Sequence, residues 1–169
     1  MNASAHGQAI SDILLEVDFL TKEGELRTLS KEKIHFGYRH SSFQDDPGLV
    51  IVGASFALMQ DAQAKIRHKE FWEKRKNSQP LDQKSAGCVF RNPSTISAGA
   101  LIDQCNLKGL KVGGAEVSKV HGNFIINTGN ASCQDVLNLI EKIQKEVKAK
   151  MQIDLEEEIR CISFDRRGK

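Results

Sequence analysis

The sequence predicts an α+β fold, and three observations carry that expectation. Short alternating runs fill the first third, an amphipathic helix lies near the C-terminal end, and a charge-rich stretch that stops at Asn77-Ser78-Gln79-Pro80 stands between them. With 169 residues, 40% of them hydrophobic, the chain is long enough for one domain or two small ones with a real core. The break before Pro80 sets the expected boundaries: a first unit over 1–76, a second over 77–153, and a terminal strand and tail over 154–169.

Taken in order, Leu15, Val17 and Phe19 alternate with Glu16 and Asp18, and Lys22-Glu23-Gly24-Glu25 turns the chain into Leu26–Leu29, which predicts a β-hairpin. Ser30–Lys33 suits one helical turn, and His35–Phe43 a loop containing Gly37. Gly48 to Leu58 is a strand on the strength of Leu49-Val50-Ile51-Val52. From Ala62 to Lys76 only Ile66, Phe71 and Trp72 are large and apolar among many charges, so this is a solvated helix; a basic stripe for RNA is the sharper and less favoured alternative.

Ser85–Pro93 reads as a small-residue turn. Ser97 then caps a helix through Cys105, Lys108-Gly109 ends it, and strands follow at Leu110–Val112 and Asn123–Asn127. Ser132 with Asp135 forms a capping box, and Val136, Leu139, Ile140, Ile143 and Val147 share one face of the strongest helix in the chain. Short strands from Met151 and at Ile159–Ile162 are expected to finish the fold, with Asp165–Lys169 a loose tail.

A net charge of +2 is too mild to argue for nucleic acid or a membrane surface. Cys88, Cys105, Cys133 and Cys161 are far apart with no C-x-x-C pair, so no metal site is expected and a reduced, cytoplasmic protein is the simplest account. Nothing resembles a membrane span or a signal peptide.

The stretch that organises the rest is Ser85-Ala86-Gly87-Cys88-Val89-Phe90-Arg91-Asn92-Pro93. On residue types alone, Cys88 is as readily an inert buried thiol as a reactive group on a rigid bend. The order G-C-V-F-R-N-P, then A-G-A-L-I-D-Q-C-N-L-K-G-L-K-V-G-G-A-E-V-S-K-V-H-G-N-F-I-I-N, then L-E-E-E-I-R resembles the C-terminal part of the UDP-N-acetylmuramate dehydrogenase family, also called UDP-N-acetylenolpyruvoylglucosamine reductases. The resemblance begins at Met1 and covers nearly the whole chain.

That resemblance implies FAD-dependent, NADPH-using reduction of UDP-N-acetylglucosamine enolpyruvate to UDP-N-acetylmuramate in peptidoglycan precursor synthesis. It implies three catalytic residues. Cys88 replaces the family's serine as proton donor, and a thiol with an ordinary pKa of about 8.5 gives up a proton readily. Glu158 matches the glutamate of the family's L-E-P-E-V-R element, here Leu155–Arg160 with Glu157 in place of proline, and stabilises an enol-like intermediate. Arg39, in the intact F-G-Y-R-x-S segment Phe36–Ser41, offers a planar fork to a carboxylate or enolate.

By the same resemblance Tyr38, Asn92, Lys108 and His121 are substrate-binding, although His121 read alone is equally a satisfied, partly buried histidine. Asn2, Ala3, Ala5 and Gly7 match the N-A-x-A-x-G turn that contacts the flavin. The family's first FAD-binding domain has no counterpart here, so the first unit is expected to be half of an FAD-binding domain ahead of a small α/β substrate-binding domain. Uncovered apolar faces, inactivity of the isolated chain and assembly with an N-terminal FAD-domain chain are the corresponding expectations. The alternative is a non-catalytic nucleotide-sugar binding module running from about Pro80 to Ile153.

Overall fold

Alternation in the first third folds as antiparallel pairs, and the apolar helix periodicity of the last third folds over a separate sheet. The structure is a computed structural model that describes residues 1–93 and 96–162. The chain divides into two compact units, Met1–Ala62 and Gln63–Lys169. The division falls ahead of the charge-rich helix, which the sequence assigns to the first unit.

The first unit opens with a two-residue hairpin, β1 (Ser4–Ala5) and β2 (Gln8–Ala9). Its tip, His6 and Gly7, lies in the left-handed region at φ 52° and 81°, the conformation that matches the twist of a tight hairpin. A single turn, α1 (Ile10–Ile13), leads into β3 (Leu14–Leu20), which pairs with β4 (Leu26–Ser30) as expected of the hairpin. The helical turn after it is a 3-10 turn, Lys31–Lys33. The expected loop over His35–Phe43 is instead a small hairpin, β5 (Phe36–Gly37) and β6 (His40–Ser41). The next strand, β7 (Val50–Phe56), completes a sheet of order β4-β3-β7.

Leu15, Val17 and Phe19 do not form the single buried face that their alternation predicts. Val17 and Phe19 are buried, but Leu15 is exposed and Leu14 takes its place inside. The cause is a bulge: Leu14 pairs with Phe56 and Glu16 with Ser55, so two steps of β3 face one of β7 and the inward parity switches. Leu14, Val17 and Ile34 form the small core, backed by Leu29, Phe36 and Phe43.

In the second unit α2 (Ala64–Ser78) has no buried residue, in keeping with a solvated helix, and stops just before Pro80. Ser85–Cys88, expected as a turn, is a strand, β8. Ser97 caps α3 (Ala98–Gln104) by accepting from the Ala100 amide at 3.2 Å. β9 (Lys111–Val112) and the unanticipated β10 (Ala115–Val117) form a hairpin through Gly113-Gly114, followed by β11 (Phe124–Asn127). A Cβ on Gly114 would sit 2.4 Å from the Ala131 amide nitrogen, so only glycine admits that close approach. The sheet order is β8-β11-β10-β9, all antiparallel.

The last helix, α4 (Cys133–Met151), has the expected capping box, and Leu139, Ile140, Ile143 and Val147 are buried in the main core with Phe90, Leu101, Ile102, Val117 and Ile125. It runs through Met151, where a strand is expected, and ends at Gln152 in the left-handed region at φ 58°. The strand expected at Ile159–Ile162 is likewise absent; the returning chain makes one isolated bridge, Phe90 to Glu157. The Val89 amide, which the pairing with Glu158 would also use, is bonded to the Asn123 carbonyl instead. The expected tail at Asp165–Lys169 lies outside the described residues.

Candidate functional site

Each unit brings together part of the predicted set. In the second unit the organising segment is an extension of β8. Cys88 pairs with Phe124 across the sheet and is half-buried. Beyond it, Asn123 acts in place of a strand: its backbone carbonyl accepts from Val89 at 2.9 Å, its side-chain oxygen accepts from the Phe90 amide at 2.9 Å, and its side-chain nitrogen donates to the Phe90 carbonyl at 2.8 Å. Asn123 is 2% exposed, so this two-way amide match satisfies a polar group that burial would otherwise penalise.

The other edge of the segment receives the C-terminal chain. The Glu158 amide donates to the Val89 carbonyl at 2.7 Å, and the Arg91 amide donates to the Glu156 carbonyl at 2.8 Å. Glu158, half-buried, is thereby held against the residue that follows Cys88. The segments that carry two predicted catalytic residues 70 positions apart in the chain are joined through one main-chain pairing. Glu156 is exposed, and its carboxylate makes a long ion pair with Arg91 at 3.9 Å.

His121 sits in the turn before β11. Its Nδ1 accepts from the Asn123 amide at 3.1 Å, its ring packs edge-on to Phe124 at 4.9 Å, and burial together with the Lys108 charge holds its pKa below the ordinary 6.5. A neutral ring with Nδ1 accepting leaves Nε2 carrying the proton. Lys108 is paired with Asp103 at 2.6 Å. The side-chain oxygen of Asn92 accepts from the Ala98 amide at 3.0 Å and so ties the motif to the start of α3. A hollow of about 570 Å³ lies elsewhere in this unit, lined by Asp82, Lys84, Glu116, Lys119 and Asn127 among others; none of Cys88, Asn92, Lys108, His121 and Glu158 is among its walls.

In the first unit Tyr38 and Arg39 form the two-residue tip of the β5–β6 hairpin. Arg39 adopts φ 54°, an uncommon conformation for a side chain of its size, with its guanidinium 5.3 Å from the Tyr38 ring centre and its Nη1 donating to Ser4 Oγ at 3.1 Å. That bond joins the arginine hairpin to the predicted flavin-contacting turn. The Asn2 side-chain oxygen accepts from the Ser11 amide in the turn α1 at 3.1 Å, while Ala3 and Ala5 help line a hollow of about 330 Å³ with Ser4, Gln8, Ala9, Ile10 and Ile13. A Cβ on Gly7 would meet nothing within 4 Å, so Gly7 is required by its φ and not by crowding.

Asn123, which holds the Cys88 segment in place, is the residue of this region that sequence reasoning missed. Its signal was an amide side chain directly ahead of the apolar run Phe124-Ile125-Ile126, a place where a polar residue has to be either exposed or fully bonded.

The fold and site define a small domain of mixed helix and strand that presents a thiol and a carboxylate from two paired segments, preceded in the chain by an antiparallel unit. Residues 79–162 match the family model described as UDP-N-acetylenolpyruvoylglucosamine reductase, C-terminal domain. A relative named UDP-N-acetylenolpyruvoylglucosamine reductase in Protochlamydia amoebophila is 48% identical over 98% of this chain and 55% of its own length, and one in Bacillus pumilus is 42% identical over 96% of this chain and 54% of its own. The crystal structure of UDP-N-acetylenolpyruvylglucosamine reductase from Thermus caldophilus superposes with a TM-score of 0.78 at 38% identity, covering 94% of this chain and 57% of that one. The chain belongs to the UDP-N-acetylenolpyruvoylglucosamine reductase family, and it spans about half the length of the curated relatives it matches.

Proposed function

We propose that the chain acts in the NADPH-dependent, flavin-dependent reduction of UDP-N-acetylglucosamine enolpyruvate to UDP-N-acetylmuramate, a cytoplasmic step of peptidoglycan precursor synthesis. The observation that carries the proposal is the pairing that holds Glu158 beside the Cys88 segment, inside the region that matches the family model. Flavin, when bound, would supply the hydride chemistry, taking hydride from NADPH for the alkene carbon remote from the substrate carboxylate. Cys88 holds the proton that completes the addition at the carbon next to the carboxylate. Glu158 steadies the enol-like charge distribution before that proton arrives, and Arg39 pairs with the carboxylate on which charge develops. Tyr38, Asn92, Lys108 and His121 orient the UDP-sugar. Nε2–H of His121 is a neutral donor suited to a sugar or phosphate oxygen, and Asn92 contributes by fixing the motif to α3.

The residues of the first unit fit one wall of a flavin site. Ala3 and Ala5 are small enough to leave main-chain groups within reach of a flat ring, and Gly7 leaves open space at the hairpin tip. In this reading a further FAD-domain chain completes the cofactor site.

The test is the visible spectrum of the chain after incubation with FAD and desalting, followed by NADPH and then the enolpyruvyl substrate without air. Retained flavin that bleaches with NADPH and recolours with substrate is the expected result for a chain competent by itself or with its completing partner; absence of flavin from both preparations overturns the proposal. In the competent preparation Cys88→Ser keeps turnover, whereas Cys88→Ala keeps flavin bleaching and loses recolouring by at least about 100-fold, the scale of general acid catalysis. A fully active Ala variant removes Cys88 from the mechanism.

A second reading is a nucleotide-sugar binding module formed by the second unit, which has a closed core of its own. It is separated from the first by UDP-sugar binding in calorimetry without flavin retention.

A further inference from the structure

Outside the site, the described residues contain a second pairing of reactive side chains. Cys133 is the first residue of α4, Cys161 lies on the segment that follows Glu158, and their sulfurs are 3.9 Å apart with both residues exposed. A disulfide needs the sulfurs at about 2.05 Å, so closure takes a relative shift of roughly 2 Å. One partner is anchored by the capped first turn of a 19-residue helix. The other is on a stretch without regular structure where, among the described residues, the last backbone bond before it is the long one from Ile159 to Val89, 3.4 Å. A fixed thiol facing a movable one meets the geometric requirement without disturbing the core.

We propose that Cys133 and Cys161 form an intramolecular redox site that a small-molecule disulfide such as oxidised glutathione converts to a protein disulfide. The Cys133 thiolate attacks one sulfur of the oxidant, breaking its S–S bond, releasing one glutathione thiolate and leaving a mixed disulfide on Cys133. The Cys161 thiolate then attacks the Cys133 sulfur and releases the second glutathione. Two protein thiols are oxidised, one oxidant disulfide is reduced, and the two thiol protons end on the two glutathione molecules. The order follows from placement: Cys133 is fixed in the capped first turn of α4, and Cys161 on the irregular segment is the thiol that moves to it. The neighbouring Cys133 sulfur holds the Cys161 thiol above its ordinary range.

The bond tethers the Glu158 segment to the start of α4. Cys133 also lines an apolar hollow of about 440 Å³ together with Val89, Val136 and Ile159. This thiol chemistry is independent of the proposed reductase function, and its readouts require neither flavin nor substrate.

The test incubates the folded, fully reduced chain with oxidised glutathione, counts the remaining thiols after unfolding, and maps peptides. The expected result is loss of two of the four thiols in a monomer, with the peptide containing Cys133 joined to that containing Cys161 and reversal by dithiothreitol. Cys161→Ser is expected to stop at a glutathione adduct on Cys133, with no protein cross-link. Single glutathione adducts on both cysteines of the unsubstituted chain, a cross-link between two chains, or a bond to Cys88 or Cys105 overturns the proposal. Because both residues are exposed, serine at either position leaves the fold intact, and an unchanged circular dichroism spectrum checks this.

Discussion

The two units bury very different amounts of themselves. In the second, α3 and α4 cover a four-stranded sheet with a continuous core from Val89 to Leu155; in the first, three strands share a core of Leu14, Val17 and Ile34 while Leu15, Leu26, Val50, Ile51 and Val52 are exposed. A helix pair can close a sheet with its own chain, whereas a three-stranded sheet without a covering layer keeps one apolar face and two edges open. The difference teaches that the same hydrophobic residue type carries stability in one unit and association potential in the other.

The largest expected effect lies in the closed unit. Ile143→Ala removes a fully buried side chain from the middle of α4 and should lower its stability by about 4 kcal/mol in urea denaturation followed by circular dichroism. A loss below about 1 kcal/mol would mean that this core is as loose as that of the first unit. Next comes Asn123→Ala, which strips both side-chain bonds from Phe90 and leaves a buried amide and carbonyl unpaired; about 2 to 3 kcal/mol is expected by the same measurement.

A smaller, pH-dependent effect comes from His121. Its folded pKa lies below 6.5 because of burial and Lys108, so the unfolded chain takes up a proton first as pH falls. The urea midpoint should therefore be flat above about pH 6.5 and decline as pH drops below that value toward the folded pKa, and His121→Gln should remove this decline. The smallest effect belongs to the open unit. Val52→Thr should change stability by less than about 0.5 kcal/mol while reducing light scattering at high protein concentration, since Val52 is half exposed on a strand at the sheet edge.

The contrast also explains what the sequence could say. Helix α4 was legible because Val136, Leu139, Ile140, Ile143 and Val147 repeat with the helical period and one packed face accounts for them all. Leu15 misled because a bulge reverses strand parity without leaving any mark in the local pattern. β10 is hidden in sequence because Glu116 interrupts its apolar character; it is buried at 6% exposure and paired with Lys111 at 3.0 Å, which composition alone does not reveal. At the site, motif order pointed to Cys88 and Glu158, and the structure places their segments in one backbone pairing. No period or spacing connects Asn123 to Phe90, because a side-chain amide imitating a strand is a purely tertiary event.

That imitation has a consequence for hydrogen exchange. The Phe90 amide is held by a rotatable side chain, whereas its neighbour Val89 is held by a backbone carbonyl, so the two neighbours need different openings. Rotation of one amide group frees Phe90, but freeing Val89 requires the strand itself to part. Deuterium should therefore enter Phe90 well before Val89, so that two adjacent residues just beyond β8 keep different time.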